Sequence, residues 1–175
     1  MTFHSIVRRW CKIYKDMLDN ETNGNRRFYL TDTQQGVVDL VQKLANEFSP
    51  SVVMEGPIEG GGKITRPTRN YPIYFVVRAR EMASGDAATE AYEEAWYHCR
   101  NFLTWLLANH NREMDEGNLD GDFARINLDD AYIDISSVGP FQNGWYGVLL
   151  QFDREEPLNL CIDPDMYIEE DNGEE

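Results

Sequence analysis

The most constraining feature of this chain is a long helical repeat over residues 86–110. Tyr92, Trp96, Cys99, Leu103, Leu106 and His110 recur at spacings of three and four, and Phe102, Trp105 and Leu107 widen the stripe. A helix of that length needs a broad apolar surface to lie on, and the flanking segments supply one. Residues 71–80 alternate Ile73, Phe75, Val77 and Ala79 with Tyr74, Val76, Arg78 and Arg80. Residues 145–153 alternate Tyr146, Val148, Leu150 and Phe152 with Trp145, Gly147, Leu149 and Gln151. A period of two is that of a strand. The β-branched run 51–55 is another strand, and 131–138 joins 145–153 around Gly139-Pro140 and Asn143-Gly144 as an antiparallel hairpin. The face bearing Trp145 is itself partly apolar, so it wants a cover.

A second helix is announced by Asp32 with Gln35, a capping-box pair, followed by Val37, Leu40, Val41, Leu44 and Phe48 on one stripe and closed by Ser49-Pro50. The fold class is therefore α+β: a mostly antiparallel sheet of about four strands, packed on one face by a long helix and a shorter one. Ahead of it, Phe3, Ile6, Val7, Trp10, Ile13, Tyr14, Met17 and Leu18 define an amphipathic helix whose other face is basic through Arg8, Arg9, Lys12 and Lys15. Residues 1–25 thus read as an N-terminal helical arm, 26–162 as a single domain with an edge strand at 158–162, and 163–175 as an acidic tail. The apolar side of the arm has three covers open to it, in this order: its own core, a neighbouring copy, or a membrane surface. Residues 56–70, with Gly60, Gly61 and Gly62 followed by Lys63, read as a long mobile hairpin tip.

Charge is unevenly distributed. The 175 residues carry a formal net charge of −15. Residues 1–80 hold 12 Lys plus Arg against 8 Asp plus Glu, a net of plus 4, and residues 81–175 hold 4 against 23, a net of minus 19. Such an acid excess argues against a protein that grips nucleic-acid phosphates, because each phosphate contact needs a cation. It suits either a solvated acidic surface or complementarity between copies, a basic element of one lying on the acidic half of the next in a heterologous contact that closes into a ring. The contact residues under that reading are Arg8, Arg9, Lys12 and Lys15, the loop residues Gly60, Gly61, Gly62 and Lys63, and Trp145.

Motifs for chemistry are weak. Gly60-Gly61-Gly62-Lys63 fails as a phosphate loop, since Pro57 stands where a glycine belongs and Ile64 where the magnesium-binding hydroxyl belongs. Glu116, Asn118, Asp120 and Asp122 with Gly121 form part of a calcium-loop pattern, but Asn127 occupies the place of the bidentate Glu. His4, His98 and His110 show no metal-binding spacing. Cys11, Cys99 and Cys161 form no C-x-x-C pair, which points to a reducing cytosol with Cys11 and Cys99 packed as small apolar residues. The longest apolar run, 73–77, is far too short to span a membrane, and no secretory signal follows Arg8 and Arg9. No catalytic residue, cofactor or metal is assigned, and the expectation is a protein that is not an enzyme.

The order of elements resembles that of phage tail-terminator and tail-completion proteins, the ring-forming subunits of the virion neck. The resemblance covers residues 30–155 and rests on the helix at 32–48, the strand at 71–80 after a long hairpin loop, the helix at 86–110 and the closing hairpin with Gly144-Trp145-Tyr146-Gly147-Val148. It implies a hexameric or dodecameric ring at the head-tail connector, assembled in the host cytoplasm and carried in the virion. Neighbouring portal, connector or tail proteins would be its partners, and DNA would pass through the lumen without specific binding. The helix at 3–18 and the acidic tail depart from the minimal family pattern. Two readings of other classes remain beside it: a small acidic inhibitor or immunity-type protein bound to a basic partner, and an enzyme using the 113–122 loop with a divalent cation.

Overall fold

The computed structural model describes residues 2–56, 58–63, 66–80, 85–128 and 133–155, with 58–63 and 66–68 described as backbone. In chain order the elements are α1 (Phe3–Ile13), β1 (Phe28–Thr31), α2 (Gln34–Lys43), β2 (Ser51–Glu55), β3 (Ile58–Lys63), β4 (Arg66–Asn70), β5 (Ile73–Arg78), α3 (Gly85–Asp115), β6 (Ile133–Phe141) and β7 (Trp145–Glu155). The architecture is mixed α+β, and the sheet has seven strands where the sequence suggests about four. All neighbours pair antiparallel except β1 with β2. The expected strand at 158–162 and the acidic tail lie outside the described residues.

Two strand pairs are continuous across short interruptions. β4 and β5 run along β7 in one unbroken register, Asn70 opposite Asp153 and Ile73 opposite Leu150. On their other side, β2 pairs with β5 and β3 with β4. β2 and β5 with β3 and β4 therefore form one long ribbon, whose far half, β3 and β4, is paired and not the mobile tip expected for 56–70. Glycine is a poor strand former, which is why Gly60, Gly61 and Gly62 concealed this hairpin; pairing with β4 and the anchoring of β4 on β7 supply the order that local propensity lacks.

Helices cover both faces of the sheet, which corrects the expectation of one covered face. On the first face, Phe75, Val77, Val148, Leu150 and Phe152 pack with Ala91, Ala95, Cys99, Phe102 and Leu106 of α3 and with Phe3, Ile6, Val7 and Trp10 of α1. The helical arm expected over 1–25 is thus folded into the domain. Its rings interlock with the core: Phe3 meets Tyr71 at 4.8 Å and Phe152 at 5.0 Å, and Trp10 meets Phe102 at 5.2 Å and Phe75 at 6.0 Å. The helix stops at Ile13, earlier than the pattern to Leu18 suggests, and Leu18 takes a positive φ of 47° in the turn beyond.

On the second face, Val37 and Val41 of α2 pack with Tyr29, Val53, Tyr74, Val76 and Trp145. The cause is β1, a strand the sequence pattern did not reveal. β1 and β2 are parallel neighbours, so the chain between them must cross over, and the crossover helix lies on the side opposite α1 and α3. The cap of α2 is Thr33, whose hydroxyl accepts from the Gly36 N–H at 3.1 Å, and not Asp32; Gln35 bonds instead to Asp39 at 2.9 Å. The stripe of α3 is also rotated from the expected one. Its buried line runs through Ala87, Ala91, Ala95, His98, Cys99, Phe102 and Leu106, so Cys99, Phe102 and Leu106 of the expected stripe are buried while Trp96 remains 42% exposed. The alanines let the helix lie close against the sheet.

Between β5 and β6, Gly147 has no room for a side chain. A Cβ there would lie 2.6 Å from the Phe75 carbonyl oxygen and 3.0 Å from Val76. Gly147→Ala is expected to lower stability by about 1–3 kcal/mol in urea unfolding. Truncating Phe3 to Ala should cost about 3–5 kcal/mol, as for any large core aromatic, whereas a detached arm would leave the midpoint unmoved.

Candidate interaction surface

The basic face of α1 divides into an internal and an external part. Arg8 points its Nε at the Asp19 carboxylate, 4.0 Å away, and Asp19 is buried. Asp19 also accepts from the backbone N–H groups of Arg27 at 2.6 Å and Phe28 at 3.0 Å, so it tethers the start of β1. A buried carboxylate with such donors is a structural anchor, and Arg8 helps to balance its charge. Arg9, Lys12 and Lys15 are exposed. Trp145, expected at a contact, is fully buried in the cluster beneath α2, because the crossover helix covers the very face that its exposure required. Gly60, Gly61, Gly62 and Lys63 lie in β3, at the end of the sheet order.

Two acids, Glu113 at the end of α3 and Asp122 in the segment after it, are held by the protein's own donors. One carboxylate oxygen of Glu113 accepts from the N–H groups of Phe123 and Ala124, both at 2.8 Å, while Asp122 pairs with Arg154 at 3.2 Å and Asp120 lies 3.7 Å from Arg125. These carboxylates face protein donors instead of converging on a common point. Among the described residues, no group of three or more His, Cys, Asp or Glu side chains could hold a metal ion. The thiols of Cys11 and Cys99 are buried, and burial pushes Cys99 up to about 12 and Cys11 well above its ordinary value, so neither is a ready nucleophile. A cleft of about 300 Å³ lies between the end of β5 and the start of α3, lined by Arg78, Arg80, Glu90 and Glu94 with Ala79, Ala87 and Ala91. Its lining holds opposite charges and no nucleophile.

A polar network that the sequence pattern did not signal joins α1 to α3. The Tyr14 hydroxyl lies 3.1 Å from His98 Nδ1 and accepts from Asn101 Nδ2 at 3.1 Å, and His98 Nε2 lies 3.6 Å from Glu94. His98 is buried, which holds its pKa below the usual 6.5 against the opposing pull of Glu94 and Asp16. Burial likewise raises Tyr74 to about 12, with Glu55 beside it adding to the effect. Single-sequence patterns place a histidine on a helix face but cannot supply the tyrosine that meets it 84 residues away in sequence.

No protein-family model matches this chain, and no curated protein matches it by sequence.

What the geometry offers is edges and charge. β6 has β7 as its sole partner among the described residues, and β3 has β4 alone. Exposed large apolar side chains, Trp96 and Leu107 among them, stand on α3. The depressed His98 pKa carries its own test. Below about pH 6.5 the unfolded chain takes up a proton that the buried imidazole resists, so stability should decline as pH falls toward the native pKa. Comparing urea midpoints at about pH 7.5 and about 5.5, His98→Gln should show a shallower loss than the parent chain; equal slopes would mean that His98 does not contribute.

Proposed function

We propose that this chain is a structural, non-enzymatic subunit of a bacteriophage virion, one copy in a ring at the neck or tail. In this reading it is a tail terminator or head-tail connector, contacts portal, connector or tail proteins, and surrounds passing DNA without binding it specifically. The observation that carries the reading is the β3–β4 hairpin. It continues the β2–β5 ribbon beyond the segment paired in the core, and its stretch 58–70 holds three basic residues against one acid in a chain of net charge −15. A paired hairpin of one charge at the end of the sheet, in a chain of the other charge, is suited to joining like copies or a neighbouring ring. An acidic lumen would pass DNA without trapping it, since a wall that lacks cations releases no counterions from phosphate. No helix among the described residues is long and apolar enough to cross a membrane.

The exposed acids Glu90, Glu93 and Glu94 at the start of α3 favour a second reading, a small acidic inhibitor that occupies a basic cleft on a partner. One measurement separates the two. Mass spectrometry of purified particles should find the chain in fixed stoichiometry with the other structural proteins. Its absence from particles, together with a salt-sensitive one-to-one complex with a basic protein, would replace the ring with the inhibitor.

A further inference from the structure

The outer side of α1 is a basic strip. At the helical advance of about 100° per residue, Ser5, Arg9 and Lys12 fall within about 60° of one another, opposite the buried line of Phe3, Ile6, Val7 and Trp10. Arg9, Lys12 and Ile13 are exposed, Ile13 by 56%, and so is Lys15 in the turn that follows. Asp16 is the one acid among residues 8–16. Among the described residues, none of Arg9, Lys12 and Lys15 forms an ion pair.

β7 ends beside the first turn of this helix. Phe152 meets the Phe3 ring at 5.0 Å, and the Arg154 guanidinium lies 5.9 Å from the same ring. From there α1 runs back along the sheet, since Trp10 meets Phe75, which pairs with Val148. Residues 156–175 follow, outside the described residues, with eight acids and no Lys or Arg. Ile13 lies about 15 Å along the helix from Phe3. The six residues from Glu155 to Cys161 span up to about 20 Å and the eight to Asp163 up to about 27 Å, so the first acids of the tail reach the strip.

We infer that residues 156–175 dock along the outer side of α1 in their own chain, with Asp163 and Asp165 against Arg9, Lys12 and Lys15 and with Ile162 over Ile13. A segment tethered beside the helix meets it at an effective concentration in the millimolar range, so surface ion pairs too weak to hold a free peptide suffice. The segment then covers the basic strip, and an acidic partner binds α1 only by displacing it. The β3–β4 hairpin, next to Glu155 through Thr68, offers Lys63, Arg66 and Arg69 as rival cations. α1 is favoured because Arg69 already has a partner and because the strip adds an exposed apolar side chain. This inference does not depend on the ring reading above.

Cys161 is a natural probe for the test. Ile13→Cys, Lys63→Cys and Leu119→Cys are made in separate full-length chains, and disulfide formation with Cys161 in a glutathione redox buffer is followed by peptide mass spectrometry. Buried Cys11 and Cys99 should not interfere, and Leu119, 65% exposed in an acidic segment, is the reference. At low salt the link between residues 13 and 161 of one chain should form about fivefold faster than the other two, and its lead should vanish at about 1 M NaCl. A faster link to residue 63 would place the segment on the hairpin, equal rates or a salt-insensitive lead would remove charge as the cause, and links between chains would make the contact intermolecular; each overturns the inference. If Ile13→Cys does not fold, Lys12→Cys takes its place. As an independent readout, Arg9→Glu with Lys15→Glu should abolish the lead, and Asp163→Lys with Asp165→Lys should restore it; no rescue counts against the contact.

Discussion

β7 pairs with β4 and β5 along one edge and with β6 along the other, and this double pairing sets the geometry of nearly everything else. Side chains alternate along a strand, so a slip of one residue would turn Val148, Leu150 and Phe152 away from α3 and place Gly147 and Leu149 there instead. The register is held on both sides. Gly147 lies against the Phe75 carbonyl and admits no bulk, and the shift between Val138 and Phe141 is absorbed at Gly139, with φ of 109°. Because β4 shares the register of β5, the same constraint carries the hairpin outward as an extension of the core.

The leading helix shows how little a charge map in sequence says about a charge map in space. From sequence, four basic residues on one amphipathic segment leave its apolar side open to its own core first, and then to a neighbouring copy or a membrane surface. In the fold, the apolar face of α1 is sealed by Phe75, Phe102, Phe152 and Tyr71, and Arg8 is turned to the buried Asp19. Acids at and after the end of α3 are used in a similar way, Glu113 on backbone donors and Asp122 on Arg154. What remains for partners is the basic hairpin, the exposed remainder of α1, and the acidic start of α3, which lie on separate elements and so suit contacts between molecules better than a single enclosed site.

Much of the architecture was legible. α3, β2, β5 and the β6–β7 hairpin announced themselves because each has a strong period or definite turn chemistry; Asn143, at φ 63°, and Gly144, at φ 74°, adopt the left-handed backbone that their Asn-Gly pair implies. β1 was hidden because four residues, Phe28–Thr31, are too few to show an alternation. Missing β1 meant missing the crossover, and with it the placement of α2 and the burial of Trp145. The orientation of α3 departs from the pattern because hydrophobic periodicity weights Trp96 and Leu107 above Ala87, Ala91 and Ala95, while close packing on a sheet favours the small residues.

By itself, the order of residues determined the three helices and the strands β2, β5, β6 and β7, that the class is α+β, and that the net charge is strongly negative. These follow from local periods and from composition, and they hold in any arrangement of the elements. Only the tertiary structure decided which face each helix covers, which charges are neutralised internally, and which strands pair with which. Those outcomes depend on contacts between residues far apart in the chain, such as Phe3 with Phe152 and Tyr14 with His98, and a local pattern carries no information about partners that it has not yet met.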